Sequence, residues 1–205
     1  TFEPVASCKG ILKCPVAGKT IGHALEERIE GAWQEFTGGI KPNFPMTIKG
    51  ELWPSMALLE AFLTAEWPAI VVDGDEPLAW ISDDGEFPKD GVRIPLDEDS
   101  LIIRYPWDPL QINEELIAQI DEDDIRGVVR DGVTIDGHLV VGEGTVVLPG
   151  VYVEGNVVIG DNCKIGPNCY LRGKTHIGDN CHIGQAVEVK NCIIMDGAST
   201  AHLSY

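Results

Sequence analysis

The chain has 205 residues, 44% of them hydrophobic, enough for one or two domains with real cores. Its formal net charge is −18, with 10 Lys/Arg against 25 Asp/Glu in residues 1–128 and 5 against 8 in residues 129–205. Such an acidic chain repels phosphate backbones, which excludes nucleic acid as a partner class. No apolar run approaches the length of a membrane span, no secretory signal pattern is read at the first residues, and a cytoplasmic protein is expected.

The first eighteen residues read as irregular or extended. Ala17-Gly18-Lys19-Thr20 matches half of a phosphate-binding loop but has neither the preceding strand nor the first glycine, and no GxGxxG occurs. Ile21, Leu25, Ile29 and Trp33 recur every four residues, which predicts a helix from about Thr20 to Phe36, closed by Gly38-Gly39. A proline-bearing loop, KPNFP, follows. Leu52-Trp53-Pro54 reads as the start of a second helix whose buried face is Met56, Leu59, Phe62 and Leu63. Ala69–Gly74 and Leu78–Ser82 are predicted strands around an acidic turn, and Ser100–Tyr105 is a third. Trp107–Ile120 carries Leu110, Ile112, Leu116 and Ile120 and is predicted helical. Asp121–Asp124 is a solvated connector or, in a second reading, a cation site. These elements make a small α/β module over residues 1–125.

From Val129 onward a six-residue repeat takes over. Its aliphatic openers are Val129, Ile135, Val141, Val147, Val153, Ile159, Ile165, Leu171, Ile177, Ile183, Val189 and Met195. Every fifth position of a unit is small or apolar, and Gly often fills the second (Gly142, Gly160, Gly166, Gly178, Gly184), with Gly/Asp/Asn pairs expected to turn the corners. A 3.6-residue helical period and the alternation of an open sheet both fail to fit. Fixed-period hexads are the signature of a parallel β-helix in which three hexads close one triangular turn, so residues eighteen apart stack at the strand spacing of about 4.8 Å. The predicted fold is therefore mainly β: a parallel β-helix over residues 126–205 preceded by the α/β module. Of six cysteines, Cys8, Cys14, Cys163, Cys169, Cys181 and Cys192, none forms a CxxC pair. Three fall on the small inward position, which points to packing thiols in a reducing compartment, with no metal predicted.

Arg172 and Lys190 stand eighteen apart on second positions, so they stack on one corner. Two adjacent cations repel unless an anion bridges them, as the phosphate of a small substrate would; alternatively they splay into water or pair with acids such as Glu188. His202 also falls on a second position, where the repeat lapses, and is either a general base or a solvated or structurally hydrogen-bonded histidine. His138, His176 and His182 fall at outward positions and receive no role.

The run Leu171–Tyr205 closely resembles the acetyltransferase half of the bifunctional enzymes that make UDP-N-acetylglucosamine, the match covering an IGPxxxLR segment that begins at Ile165, a VExK segment and an HLSY segment at ungapped spacing. Those enzymes join a glucosamine-1-phosphate N-acetyltransferase to a sugar-1-phosphate nucleotidyltransferase. The resemblance implies a left-handed coil, a homotrimer with sites between neighbouring coils, and acetyl-CoA as co-substrate. It also implies phosphate binding by Arg172 and Lys190, His202 as base, Tyr205 in contact with the substrate, and Glu188 near it. Tyr105-Pro106-Trp107-Asp108 with Gln111-Ile112-Asn113 resembles that family's hinge. The family continues past HLSY with turns that hold acetyl-CoA, so the acetyl-CoA site is expected mostly beyond Tyr205 and the chain is expected to be a fragment or to have lost that site. The N-terminal module is about half the length of a nucleotidyltransferase. Three functions stay open: acetyl transfer to a hexosamine 1-phosphate, a non-catalytic trimerisation or ligand-sensing scaffold, and nucleotidyl transfer.

Overall fold

The computed structural model describes residues 13–40 and 44–204. The extended opening with Cys8, part of the KPNFP loop, and Tyr205 lie outside the described residues. The chain divides into two compact units, one holding Ile21–Asp108 and the other Cys14–Thr20 with residues 109–204.

In chain order, the elements ahead of the repeat are β1 (Pro15–Val16), β2 (Lys19–Thr20), α1 (Ile21–Thr37), β3 (Met46–Ile48), β4 (Leu52–Trp53), α2 (Met56–Thr64), β5 (Ala69–Asp73), β6 (Glu76–Ile81), β7 (Val92–Pro95), β8 (Leu101–Ile102) and α3 (Asp108–Ala118). Helix α1 follows its four-residue period, burying Ile21, Leu25 and Trp33. It ends where Gly38 and Gly39 take left-handed φ of 64° and 78°, letting the Gly39 N–H reach back to the Trp33 carbonyl at 3.0 Å.

The second helix corrects an expectation. Leu52–Trp53 is a strand paired antiparallel with β8, and Pro54 precedes the helix. Ser55 is the N-cap, its Oγ accepting the Leu58 N–H at 2.9 Å. The buried face is accordingly Leu58, Leu59, Phe62 and Leu63, with Met56 half-buried. The main sheet of this unit has the order β3-β6-β5-β7, with β7 parallel to β5 and the other pairs antiparallel. Both β3 and β7 are edge strands of three and four residues without alternation, and neither is legible as a strand in the sequence. Their partner strand, more than their own pattern, defines them.

The repeat forms the predicted parallel β-helix, a three-faced solenoid. One face stacks Val128–Val129, Val146–Val147, Lys164–Ile165, His182–Ile183 and Ser199–Thr200; the second stacks Thr134–Asp136, Tyr152–Glu154, Tyr170–Arg172 and Glu188–Lys190; the third stacks Asp124–Ile125, Leu139–Val141, Val157–Ile159, Thr175–Ile177 and Ile193–Ile194. Val147, Val153, Ile159, Ile165, Leu171 and Ile177 are at most 1% exposed and form the interior. Cys163, Cys169 and Cys181 sit at its corners, where each thiol donates to a carbonyl of the next rung: Gly178, Gly184 and Met195. Burial pushes the Cys163 and Cys169 thiols above their ordinary pKa.

Two readings of the repeat need correction. Among the second-position glycines only Gly166 has a positive φ. The left-handed residues form three other columns, one per corner; one runs Gly144, Asn162, Asn180, Gly197. The second-position glycines are needed for clearance instead: a Cβ on Gly142 would lie 2.6 Å from the carbonyl carbon of Gly160. Close approach there lets Asp161, Asp179 and Asp196 each reach back one rung, accepting the N–H of Glu143, Asp161 and Asp179.

The second correction is a register slip. After the opening pair, where Asp124↔Val140 and Ile125↔Val141 are sixteen apart, pairing is eighteen apart through Arg172↔Lys190, then becomes seventeen, with Ile177↔Ile194 and Ile183↔Thr200. The corner Lys190-Asn191-Cys192 has one residue fewer than Arg172-Gly173-Lys174-Thr175. Ile194, not Met195, therefore fills the interior, and Met195 is 43% exposed. The turn pairs Asp161-Asn162, Asp179-Asn180 and Asp196-Gly197, spaced eighteen and then seventeen, carry this slip in the sequence.

Within its own unit the third face is covered. Asn113 of α3, fully buried, accepts the Ala17 N–H at 2.9 Å and donates to the Lys174 carbonyl at 3.0 Å. Asn156 Nδ2 caps the other end of α3, donating to the Ile117 and Ile120 carbonyls.

Candidate substrate-binding face

The second face carries the residues the sequence singled out. Side chains alternate in and out along a strand, so Ile135, Val153, Leu171 and Val189 point inward and their neighbours outward. The outward residues form two columns in strict register: Thr134, Tyr152, Tyr170, Glu188 and, beside it, Asp136, Glu154, Arg172, Lys190. One column is aromatic in its middle; the other changes sign halfway.

Arg172 lies at the centre. Its Nη1 donates to Glu188 Oε1 at 2.9 Å, its Nε is 3.4 Å from Glu154 Oε2, and its guanidinium carbon sits 4.9 Å above the Tyr170 ring. The Glu188 hydrogen bond first, with the field of Glu154 behind it, raises the Arg172 pKa above its already high ordinary value. The Tyr170 hydroxyl donates to Glu154, the Tyr152 hydroxyl donates to Asp136 at 3.2 Å, and the two rings stand 5.4 Å apart. Arg172 is thus oriented on three sides. Lys190, one rung on, forms no ion pair among the described residues and is exposed. Register brings Arg172 and Lys190 together as the spacing predicts, and it places Glu188 between Arg172 and the end of the coil.

His202 sits elsewhere. Because of the slip it stacks on Gln185, not on the second-position column: the Gln185 N–H donates to His202 Nδ1 at 2.9 Å, and the Leu203 N–H donates to the Gln185 carbonyl. It lies at the corner leading from the first face into the second, and the Glu188 N–H donates to the Ser204 carbonyl at 2.8 Å. Since Nδ1 accepts a hydrogen bond, the neutral ring carries its proton on Nε2. The fifth expected residue, Tyr205, lies outside the described residues.

The tyrosine ladder and Glu154 are site neighbours that sequence reasoning passed over, although their eighteen-residue spacing from Tyr152 to Tyr170 and from Asp136 to Glu154 was there to read. Among the described residues no cluster of three or more His, Cys, Asp and Glu could hold a metal ion, and no helix is long and apolar enough to cross a membrane.

No curated protein matches the chain. Residues 138–173, which include Arg172, match the family model described as bacterial transferase hexapeptide (six repeats), and over those rungs the chain is similar to the hexapeptide-repeat transferases.

Proposed function

We propose that this protein transfers an acetyl group from acetyl-CoA to the amine of a hexosamine 1-phosphate. The observation that carries this reading is the transferase-type hexad stretch over residues 138–173, which includes Arg172, with Lys190 in register on the next rung. Lys190 supplies an uncommitted positive charge for the phosphate. Arg172 exchanges its Glu188 contact for a phosphate oxygen; a partly exposed ion pair is weak, so the exchange is inexpensive. The phosphate anchors then hold the amine in place for attack on the thioester carbonyl, where orientation supplies much of the rate. A C–N bond forms, the C–S bond breaks, the leaving thiolate is protonated, and the amine's proton passes to His202. To accept that proton at Nε2, the ring must first move its own proton to Nδ1 and release Gln185. This reading includes a homotrimer, which sedimentation would measure.

A second reading, a non-catalytic scaffold, is favoured by one observation: Arg172 is already held between two carboxylates. Release of coenzyme A thiol, followed with a panel of hexosamine 1-phosphates, separates the two. Turnover that falls at least about 100-fold in His202→Ala, with the coil intact by circular dichroism, supports the enzyme. Turnover indifferent to His202 overturns its role, and absence of turnover with every sugar favours the scaffold.

A further inference from the structure

His176 points outward from the third face, between Val158 and Ile193 in its column, yet it is only 3% exposed. Its Nδ1 is buried and has no hydrogen-bond partner among the described residues. The cover on this face is the β1–β2 hairpin together with α3. Gly18 of the hairpin lies over Val158, close enough that a Cβ there would stand 3.2 Å from Val158 Cγ1, and Asn113 ties the hairpin to the coil at Lys174, two residues before His176. A buried polar atom left without a partner is costly, and a buried unpaired charge is far more so.

We propose that His176 is an acid-operated latch: the hairpin and α3 stay docked on the third face while its imidazole is neutral and open when it takes a proton. Among the described residues no carboxylate pairs with the ring directly. On the coil, Asp179 and Asp196 act only through their fields, and the Cys192 carbonyl accepts the His176 main-chain N–H at 2.9 Å. The hairpin contributes Cys14 and Lys19. Helix α3 contributes Asp108, Glu114 and Glu115, while its buried residues, Pro109, Ile112, Asn113 and Ile117, have no ionisable group.

Burial lowers the His176 pKa from 6.5 to about 4, outweighing the two aspartates. The open state, with an ordinary histidine, binds the proton more tightly. Docking is therefore fully favoured above pH 6.5 and weakens as the pH falls from 6.5 towards 4, by up to about 300-fold in all.

Hydrogen–deuterium exchange on the full chain, corrected for intrinsic rates, tests this. Between pH 7 and pH 4.5, protection of residues 14–20 and 112–118 should fall by about 50-fold, while amides of the coil interior such as Val153 and Leu171 keep theirs. In His176→Ile, which matches the apolar column, the cover should stay protected at both pH values. His176→Gln, which keeps a polar but uncharged group, should likewise lose the pH response and serves if the Ile variant disturbs the coil. A wild-type cover equally protected at pH 4.5 and 7, or an unchanged acid response in both variants, would overturn the latch.

Discussion

The two units of this chain solve the same problem, burying apolar surface, by opposite routes. In the coil each rung pairs with the next, sixteen to eighteen residues away, and the interior is one side chain deep, repeated. In the unit of Ile21–Asp108 the sheet order β3-β6-β5-β7 pairs residues at irregular separations, up to thirty-five apart at Met46↔Ile81, with two helices over a mixed core. A repetitive core is specified by periodicity and tolerates little local change, because each rung is a template for its neighbours. A mixed core is specified by the sum of many contacts and absorbs change by repacking.

That contrast can be broken most forcefully at Leu171. It is fully buried in the coil interior, and Leu171→Ala should cost about 2–5 kcal/mol in chemical denaturation, towards the upper end because stacked rungs cannot collapse into the cavity. A cost below about 1 kcal/mol would show that the coil relaxes as a globular core does. Next come two glycine substitutions with opposite signs. Gly142→Ala drives a methyl into the backbone of the following rung and should destabilise by about 1–3 kcal/mol. Gly31→Ala in α1 meets nothing within 4 Å and should stabilise by up to about 1 kcal/mol through helix propensity. Thermal melts of the two variants shifting the same way would remove the distinction between clearance and open helix surface.

The smallest effect is at the α2 cap. Ser55→Ala removes the acceptor of the Leu58 N–H and should cost about 1 kcal/mol. Ser55 Oγ also donates to Asp97, whose other oxygen accepts the Ser100 N–H at 2.9 Å. Burial acts to raise the Asp97 pKa, but the hydrogen bonds from Ser100 and Ser55 outweigh it and the net shift is downward. A lowered carboxylate stabilises the fold above its unfolded pKa, near 4, and loses that contribution as the pH falls through the folded value. The cost of Ser55→Ala should therefore shrink below pH 4, and a cost independent of pH would mean that the Asp97 bond contributes nothing.

How much was legible differs between the units in the same way. The twelve openers predicted the coil, and eleven of them hold their phase; Met195 does not, because one residue is missing after Asn191. A strict six-residue count hides that loss, whereas the Asp-Asn and Asp-Gly turn pairs record it. For the site, the stacking of Arg172 on Lys190 follows from spacing alone. Pairing of Arg172 with Glu188 was one of the alternatives read from the sequence; its second carboxylate, Glu154, also follows from spacing once the whole face is laid out, but was passed over. His202 was misplaced for the same reason as Met195. In the other unit the four-residue period of α1 was plain, while β3, β4 and β7 were not, since strands of two to four residues carry no periodicity of their own.

The amino-acid sequence by itself determined the solenoid, its inward residues and the column that joins Arg172 to Lys190, because in a repeat the long-range contacts are set by a local period. Only the tertiary structure decided that the third face is covered by the hairpin and α3, and that His176, at a position the repeat marks as outward, is buried with an unpartnered nitrogen. Burial depends on what arrives from elsewhere in the chain, and no period within the repeat encodes it.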